Sequence, residues 1–411
     1  MRNLLMAVAA LIPFFIQAQE ASGIIIPTKP VTKRDTLGQK DLIDIAKRLF
    51  NFRSGKPIRE ERGKNVYFSF LPFNSSVPGG SGRALITTTT AAAYFGPRKT
   101  TNISSATFTP YWNFNNRFGL PLRTSIWLAN NTWTIQGDSR FLYYPQFSWG
   151  LGGVRTENEK LLVDYKYIRF YQSALKKITP YFLAGGGYYL DHHLNIKTDD
   201  TAKNLKQYTG YDYGTGSNSL SSGISVNLLY DTRNNSINPL PGMYANLVYR
   251  INTKVLGSND NWQSLFIDIR KYISLNKTNR QQQNTLAFWT YLWTVFNNPA
   301  PLLDLPGIGW DPDNRSGRGI DQNRYSGKSL LYFESEYRYR ITENGLLGGV
   351  AFVNLQNFSS DLSPQYSKLF PGYGLGLRLK LNKNSGANLC VDYGFGQNGS
   401  RGFFVNLGEV F

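Results

Sequence analysis

One arginine and three acids carry the most specific chemistry in this sequence. Arg318 stands between Gly317 and Gly319 and is followed by Ile320, at the end of a long polar segment. Glycine on both sides lets the backbone bend freely and approach other groups closely. A guanidinium in a partly dry interior needs carboxylates, and its planar fork suits bidentate pairing. Glu334 and Glu336 follow on an alternating stretch, and Asp392 falls at the matching parity of a later one. The expected arrangement is a structural latch with Glu334 or Glu336 as the favoured partner. The bland alternative is an arginine in a solvated loop.

Other chemistry is thin. His192 and His193 are the two histidines, adjacent after Asp191. In a strand they point to opposite faces, which suits no shared metal. No nucleophile and orienting acid can be placed beside either one. The chain is therefore expected not to be an enzyme and to use no cofactor and no metal. Ser81-Gly82-Arg83 reads as a turn, because no Lys-Ser/Thr follows it to bind phosphate. Tyr143, Tyr144, Trp149, Trp289, Trp293, Tyr332 and Tyr373 are expected in interfacial girdles or facing lipid.

The elements that position Arg318 and its partners are strands. Leu331, Phe333, Tyr337, Tyr339 and Ile341 share one face, while Lys328, Glu334, Glu336, Arg338 and Arg340 share the other. Such a strand belongs to a barrel wall with a wet interior. Similar candidates recur at 65–72, 83–95, 104–114, 122–135, 161–174, 179–190, 220–230, 243–252, 262–275 and 284–296. After the loop come 328–341, 346–357, 372–381, 387–395 and 402–411. These number about fifteen, and a bacterial single-chain barrel takes an even number, so sixteen is expected. The strand still to be found is expected in Phe141–Gly150 or just before Asn65. The fold class is all-β: a single-chain transmembrane antiparallel β-barrel with a short N-terminal helix at Asp41–Phe52.

Composition agrees with export to a membrane. Residues 1–18 have the charged, apolar and small-residue regions of a signal peptide. Residues 19–63 form an arm and the short helix, and 64–411 the barrel. Mean hydropathy is −0.34, too polar for a helical membrane protein. Yet the 411 residues include 26 Tyr, 26 Phe and 39 Gly, as expected of strands with one face in water. Cys390 is the single cysteine and can form no internal disulfide. The net charge of +18 is spread among alternating apolar residues, with no basic helix or recognition motif that would bind nucleic acid. It suits a charged lumen and rim near anionic lipid headgroups, lipopolysaccharide included.

Three segments together resemble the BamA/TamA superfamily, also called the bacterial surface antigen family. Asp231, Arg233 and Asn234, with Gly242 leading the next strand, are similar to its aspartate-x-arginine turn. Gly317-Arg318-Gly319-Ile320 is similar to its arginine-glycine-aromatic loop signature, with Ile320 replacing the aromatic. Phe403, Val405, Leu407, Gly408 and Phe411 resemble its C-terminal strand, read as a signal for barrel assembly. The resemblance implies an outer-membrane barrel in which the loop arginine lies inside and meets acidic residues of the wall. It also places Asn354 where the family often has an aspartate. Members that insert or secrete proteins carry periplasmic POTRA modules, and the stretch between Gln19 and Asn65 is too short for one. The expected function is a pore or channel with an inward-folded loop. The alternative is an outer-membrane protein assembly or translocation factor working with a separate periplasmic or outer-membrane partner.

Overall fold

A two-residue alternation of apolar and polar side chains gives two distinct faces only when the chain is extended. The computed structural model describes residues 38–49, 66–76 and 83–411, apart from 99, 113–116, 153–154, 200–203, 234, 277–282, 297–298, 360–367 and 384–385. The expected signal peptide at 1–18, the arm to residue 36, Phe50–Phe52 of the expected helix, the Ser81-Gly82 turn and Asn234 lie outside the described residues.

Strand segments along the chain are β1 (Val66–Ser76), β2 (Arg83–Ala93), β3 (Ser104–Phe108), β4 (Tyr111–Trp112), β5 (Phe118–Gly119), β6 (Leu122–Trp127), β7 (Trp133–Tyr143) and β8 (Gln146–Ser148). Longer ones follow: β9 (Leu161–Thr179), β10 (Phe182–Thr198), β11 (Asn218–Asp231), β12 (Gly242–Asn252), β13 (Trp262–Ser274) and β14 (Asn284–Val295). The last are β15 (Ser329–Arg340), β16 (Leu347–Ser359), β17 (Phe370–Asn382), β18 (Ala387–Gly396) and β19 (Arg401–Leu407). All 19 belong to one sheet, and every ladder between them is antiparallel. From β9 to β19 each strand pairs with its sequence neighbours. Among the described residues, no ladder joins β19 back to β1.

Two expectations need correction. The strand expected at 122–135 contains a reversal at Ala129–Asn131, where Asn130 and Asn131 both have φ of 57°. Asparagine tolerates this left-handed region, so the pair makes the hairpin between β6 and β7. β7 and β8 overlap Phe141–Gly150, one of the two stretches where a further strand is expected; the other, just before Asn65, lies outside the described residues. The final strand, expected to run to Phe411, stops at Leu407. Gly408, at φ +86°, turns the last residues inward, and Glu409, Val410 and Phe411 are buried.

The faces of β15 follow its alternation. Leu331, Phe333 and Tyr337 are exposed on the outside, while Leu330, Tyr332, Glu334, Glu336 and Arg338 are buried within. Four aromatics expected at the interface are inside instead: Tyr144, Trp149, Trp289 and Tyr332 are at most 4% exposed. Parity explains two of them, since Tyr332 shares the face of Glu334 and Trp289 pairs across the ladder with Glu334. Trp293 is partly buried against Phe266, whereas Tyr373 faces outward.

A short helix, α1 (Leu42–Leu49), packs at the short-turn end of β17. Asp41 Oδ1 caps it by accepting from the Asp44 amide at 2.8 Å. Lys383, in the turn after β17, donates its amide to Asp41 Oδ2 at 2.9 Å and pairs with Asp44 at 2.7 Å. A second helix, α2 (Leu205–Thr209), lies in the long β10–β11 connection.

Candidate functional site

The connection between β14 and β15 turns into the curl of the sheet. Its fold begins with Asp311, whose Oδ1 accepts from the amides of Arg315 at 3.0 Å and Ser316 at 2.8 Å and from the Ser316 hydroxyl at 2.6 Å. That knot brings Gly317-Arg318-Gly319 against the inner wall. The Gly317 amide donates to the Tyr332 hydroxyl at 3.0 Å, and Asn354 Nδ2 donates to the Arg318 carbonyl at 3.0 Å.

Arg318 is 1% exposed, and Glu334, Glu336 and Asp392 surround its guanidinium. Nη1 donates to Asp392 Oδ2 at 2.5 Å, and Nη2 donates to both glutamates. The Phe352 ring lies 3.8 Å from Cζ and covers the cation on one face. All four residues named from the sequence therefore meet at one point.

Residues that sequence reasoning did not assign extend the cluster. Arg338 Nε donates to Glu336 Oε2 at 2.6 Å, and Arg378 bridges Asp392 and Glu409, reaching the latter at 2.8 Å. Asn388 Nδ2 donates to Glu409 Oε1 at 2.7 Å. Three guanidiniums thus interleave with four carboxylates, which is how buried charge is tolerated. Arg338 and Arg378 had a signal in the sequence, since both sit at inner parity on strands whose other face is apolar.

Space for the loop comes from absent side chains. Gly319 has φ +91°, and a Cβ there would sit 2.7 Å from the backbone N and O of Phe395. Gly394 meets it from the other side, where an added Cβ would sit 2.6 Å from the Gly319 nitrogen. Gly319→Ala is expected to fold but to lift the loop, at a cost of about 1–3 kcal/mol for the strained backbone. Limited trypsin digestion of the folded barrel checks this, because Arg315, Arg318 and Arg324 should become cleavable. Digestion at the wild-type rate would refute the close fit.

The tail after β19 forms a floor beside the cluster. Arg315 Nη1 donates to the carbonyls of Glu409 at 3.0 Å and Val410 at 3.1 Å. The Phe411 ring lies 5.2 Å from that of Trp289 and 6.2 Å from that of Tyr272, with Arg338 5.0 Å above it. The turn after β11 reaches the same place: Ile237 O accepts from the Glu409 amide at 2.9 Å. Asp231 and Arg233 shape that turn through a fork, with Nε and Nη2 at 2.9 and 2.8 Å from the two carboxylate oxygens. Gly242, at φ +134°, lies so close that a Cβ would be 2.8 Å from Arg233 Cα.

Phe403, Val405 and Leu407 remain on β19, with Phe403 exposed, apart from the buried Phe411. His193 is buried, stacked on Tyr167 at 4.4 Å, while His192 is at the other parity of β10. Ser219 Oγ is 3.4 Å from His193 Nδ1, and the loop's Asp304 is 3.8 Å from it. Asp304 also accepts from the Ser221 hydroxyl at 2.5 Å. Among the described residues, no group of acids, histidines and cysteine is placed to hold a metal ion.

Comparison with known proteins gives the setting. Residues 155–411 match the Omp85 superfamily domain. Among solved structures, BamA from Haemophilus ducreyi lacking POTRA domains 1-3 is similar at 13% identity and TM-score 0.54, over 84% of this chain and 70% of that one. CdiB from Escherichia coli is similar at 11% identity and TM-score 0.58, over 84% of this chain and 62% of that one. CdiB from Acinetobacter baumannii is similar at 14% identity and TM-score 0.53, over 84% and 60%. This chain thus spans less than two thirds of either CdiB. No curated protein matches it.

Proposed function

This chain belongs to the Omp85 superfamily of outer-membrane β-barrels, and from that premise we propose that it is a pore whose lumen is held shut by its own loop. The observation that carries the reading is the seating of Arg318 among Glu334, Glu336 and Asp392 from two separate strands. A loop pinned this way is held against the inner wall, where it fills part of the interior.

Sixteen passes fit the pairing. β3 and β4 both lie along β2, β5 and β6 along β7, and β7 and β8 along β9. Counting each such pair as one pass reduces the 19 segments to an even number, as a bacterial barrel takes. The outer leucines of β17, Leu375 and Leu377, then face lipid, and the exposed basic residues meet lipopolysaccharide and other anionic headgroups. Ser219, His193 and Asp304 anchor the loop in this reading and do no catalysis, being buried away from any substrate. Export by the N-terminal signal completes it.

Planar-bilayer recording tests the proposal. Wild-type protein is expected to conduct little, and Arg318→Ala several-fold more, as the loop is released from the lumen. Equal conductance from the two would sink the pore reading. A second reading is favoured by the short β19 and, among the described residues, its lack of a ladder to β1: an assembly or translocation factor acting with a separate periplasmic partner. Insertion of client barrels into liposomes by this protein, with no conductance of its own, would select that reading.

A further inference from the structure

Beyond Arg318, the same loop presents Pro312, Asp313 and Asn314 to three arginines of the wall. Arg123, on β6, donates from Nη1 to Asp313 Oδ1 at 3.2 Å and from Nη2 to the Pro312 carbonyl at 2.6 Å. Arg140, on β7, donates to that carbonyl at 2.9 Å and to Asn314 Oδ1 at 2.7 Å. Arg270, on β13, donates to Asp313 Oδ2 at 3.4 Å. Among the described residues, the ladders join β6 to β13 by way of β7, β9, β10, β11 and β12, so a single carboxylate bridges distant parts of the sheet.

The three arginines are not equivalent. Arg140 and Arg270 each have a wall acid of their own, Asp138 at 2.5 Å and Asp268 at 2.6 Å. Arg123 finds its acceptors on the loop alone among the described residues. Accessibility separates this contact from the Arg318 cluster. The Arg123 and Asp313 side chains are 38% and 36% exposed, whereas Arg318 and its partners are sealed. A half-exposed ion pair is in reach of solvent and partly screened by salt, so an anion from solution can compete for it.

We propose that Arg123, Arg140 and Arg270 form an oxyanion-binding site inside the barrel, filled in this conformation by the protein's own Asp313. Its ligands are small oxyanions, phosphate or a carboxylate, whose oxygens accept from forked guanidiniums as Asp313 and Pro312 do. Asp313 is a tethered competitor, and it lowers the apparent affinity for any free anion by the fraction of time the site is vacant. An anion preference during transport rests on the pore reading above, whereas binding itself does not.

The test uses the purified full-length barrel in detergent, with folding verified by heat-modifiable gel migration and inorganic phosphate followed by 31P line broadening. Asp313→Ala is expected to bind phosphate at least about tenfold more tightly than wild type, because the tethered competitor is gone. Adding Arg123→Gln to that variant should abolish the gain. Acetate should displace phosphate, and chloride at equal ionic strength should not. Asp313→Asn, which keeps the loop's shape, serves if the alanine variant misfolds, and it should also bind more tightly than wild type. Equal binding by wild type and the Asp313 variant, or undiminished binding after Arg123→Gln, would overturn the site. Current plays no part in this readout, so the anion site and the pore reading fail separately.

Discussion

Replacing Arg318 with alanine is expected to destabilise the folded barrel by about 3–5 kcal/mol, the usual cost of removing one partner from a buried ion pair. The size follows from what is left behind. Glu334, Glu336 and Asp392 are at most 1% exposed, and each loses a charged donor that no water can easily replace. Arg338 and Arg378 retain Glu336 and Asp392, which limits the damage there. Glu334 keeps only the Tyr332 hydroxyl from its side-chain contacts in the cluster. A second substitution therefore makes the argument sharper: Glu334→Gln added to Arg318→Ala should recover part of the loss, by neutralising the acid with the fewest remaining donors. The denaturant midpoint of the heat-modifiable band measures both. A shift below about 1 kcal/mol for Arg318→Ala, the range of exposed pairs, would refute the buried latch.

Phe411→Ala should cost a comparable amount, about 3–5 kcal/mol, as for other large-to-small changes in a packed core. Its ring fills the space against Trp289 and Tyr272, and Arg338 lies over its face while donating to its carbonyl at 2.9 Å. This differs from the expectation that Phe411 serves as a strand-end signal for assembly. Refolding purified chains into detergent, with no assembly factor present, separates the roles. A structural residue lowers the denaturation midpoint of the refolded barrel. A residue that only signals leaves that midpoint unchanged and lowers yield in cells alone.

The inner wall could be read from the sequence wherever a strand alternates without interruption. The parity of β15 put Glu334 and Glu336 on the face that meets Arg318, and β18 did the same for Asp392. The aromatics were harder, because a tyrosine or tryptophan satisfies either face. Residue type alone places Tyr332 and Trp289 at the rim, whereas their parity points inward. The tail misled for a related reason. Phe403, Val405 and Leu407 keep the outward period, which continues numerically to Glu409 and Phe411. The break was Glu409 itself: a carboxylate at a lipid-facing position is costly, and Gly408 beside it supplies the turn. The contacts of Arg123, Arg140 and Arg270 with the loop had no local signal. They join residues up to 190 positions apart, and only the curl of the sheet brings them together.

The pairing of Arg315 with the tail also bears on the order in which the molecule comes together. Residues 315 and 409 are 94 positions apart, and 318 and 392 are 74 apart. Neither contact gains anything until most of the intervening strands have found their registers, so the entropic cost precedes the reward. Arg315 lies on the loop and its acceptors on the tail, so both segments must be in place before this contact exists. Burial of residues 408–411 therefore reports long-range pairing across the sheet rather than the formation of any one strand.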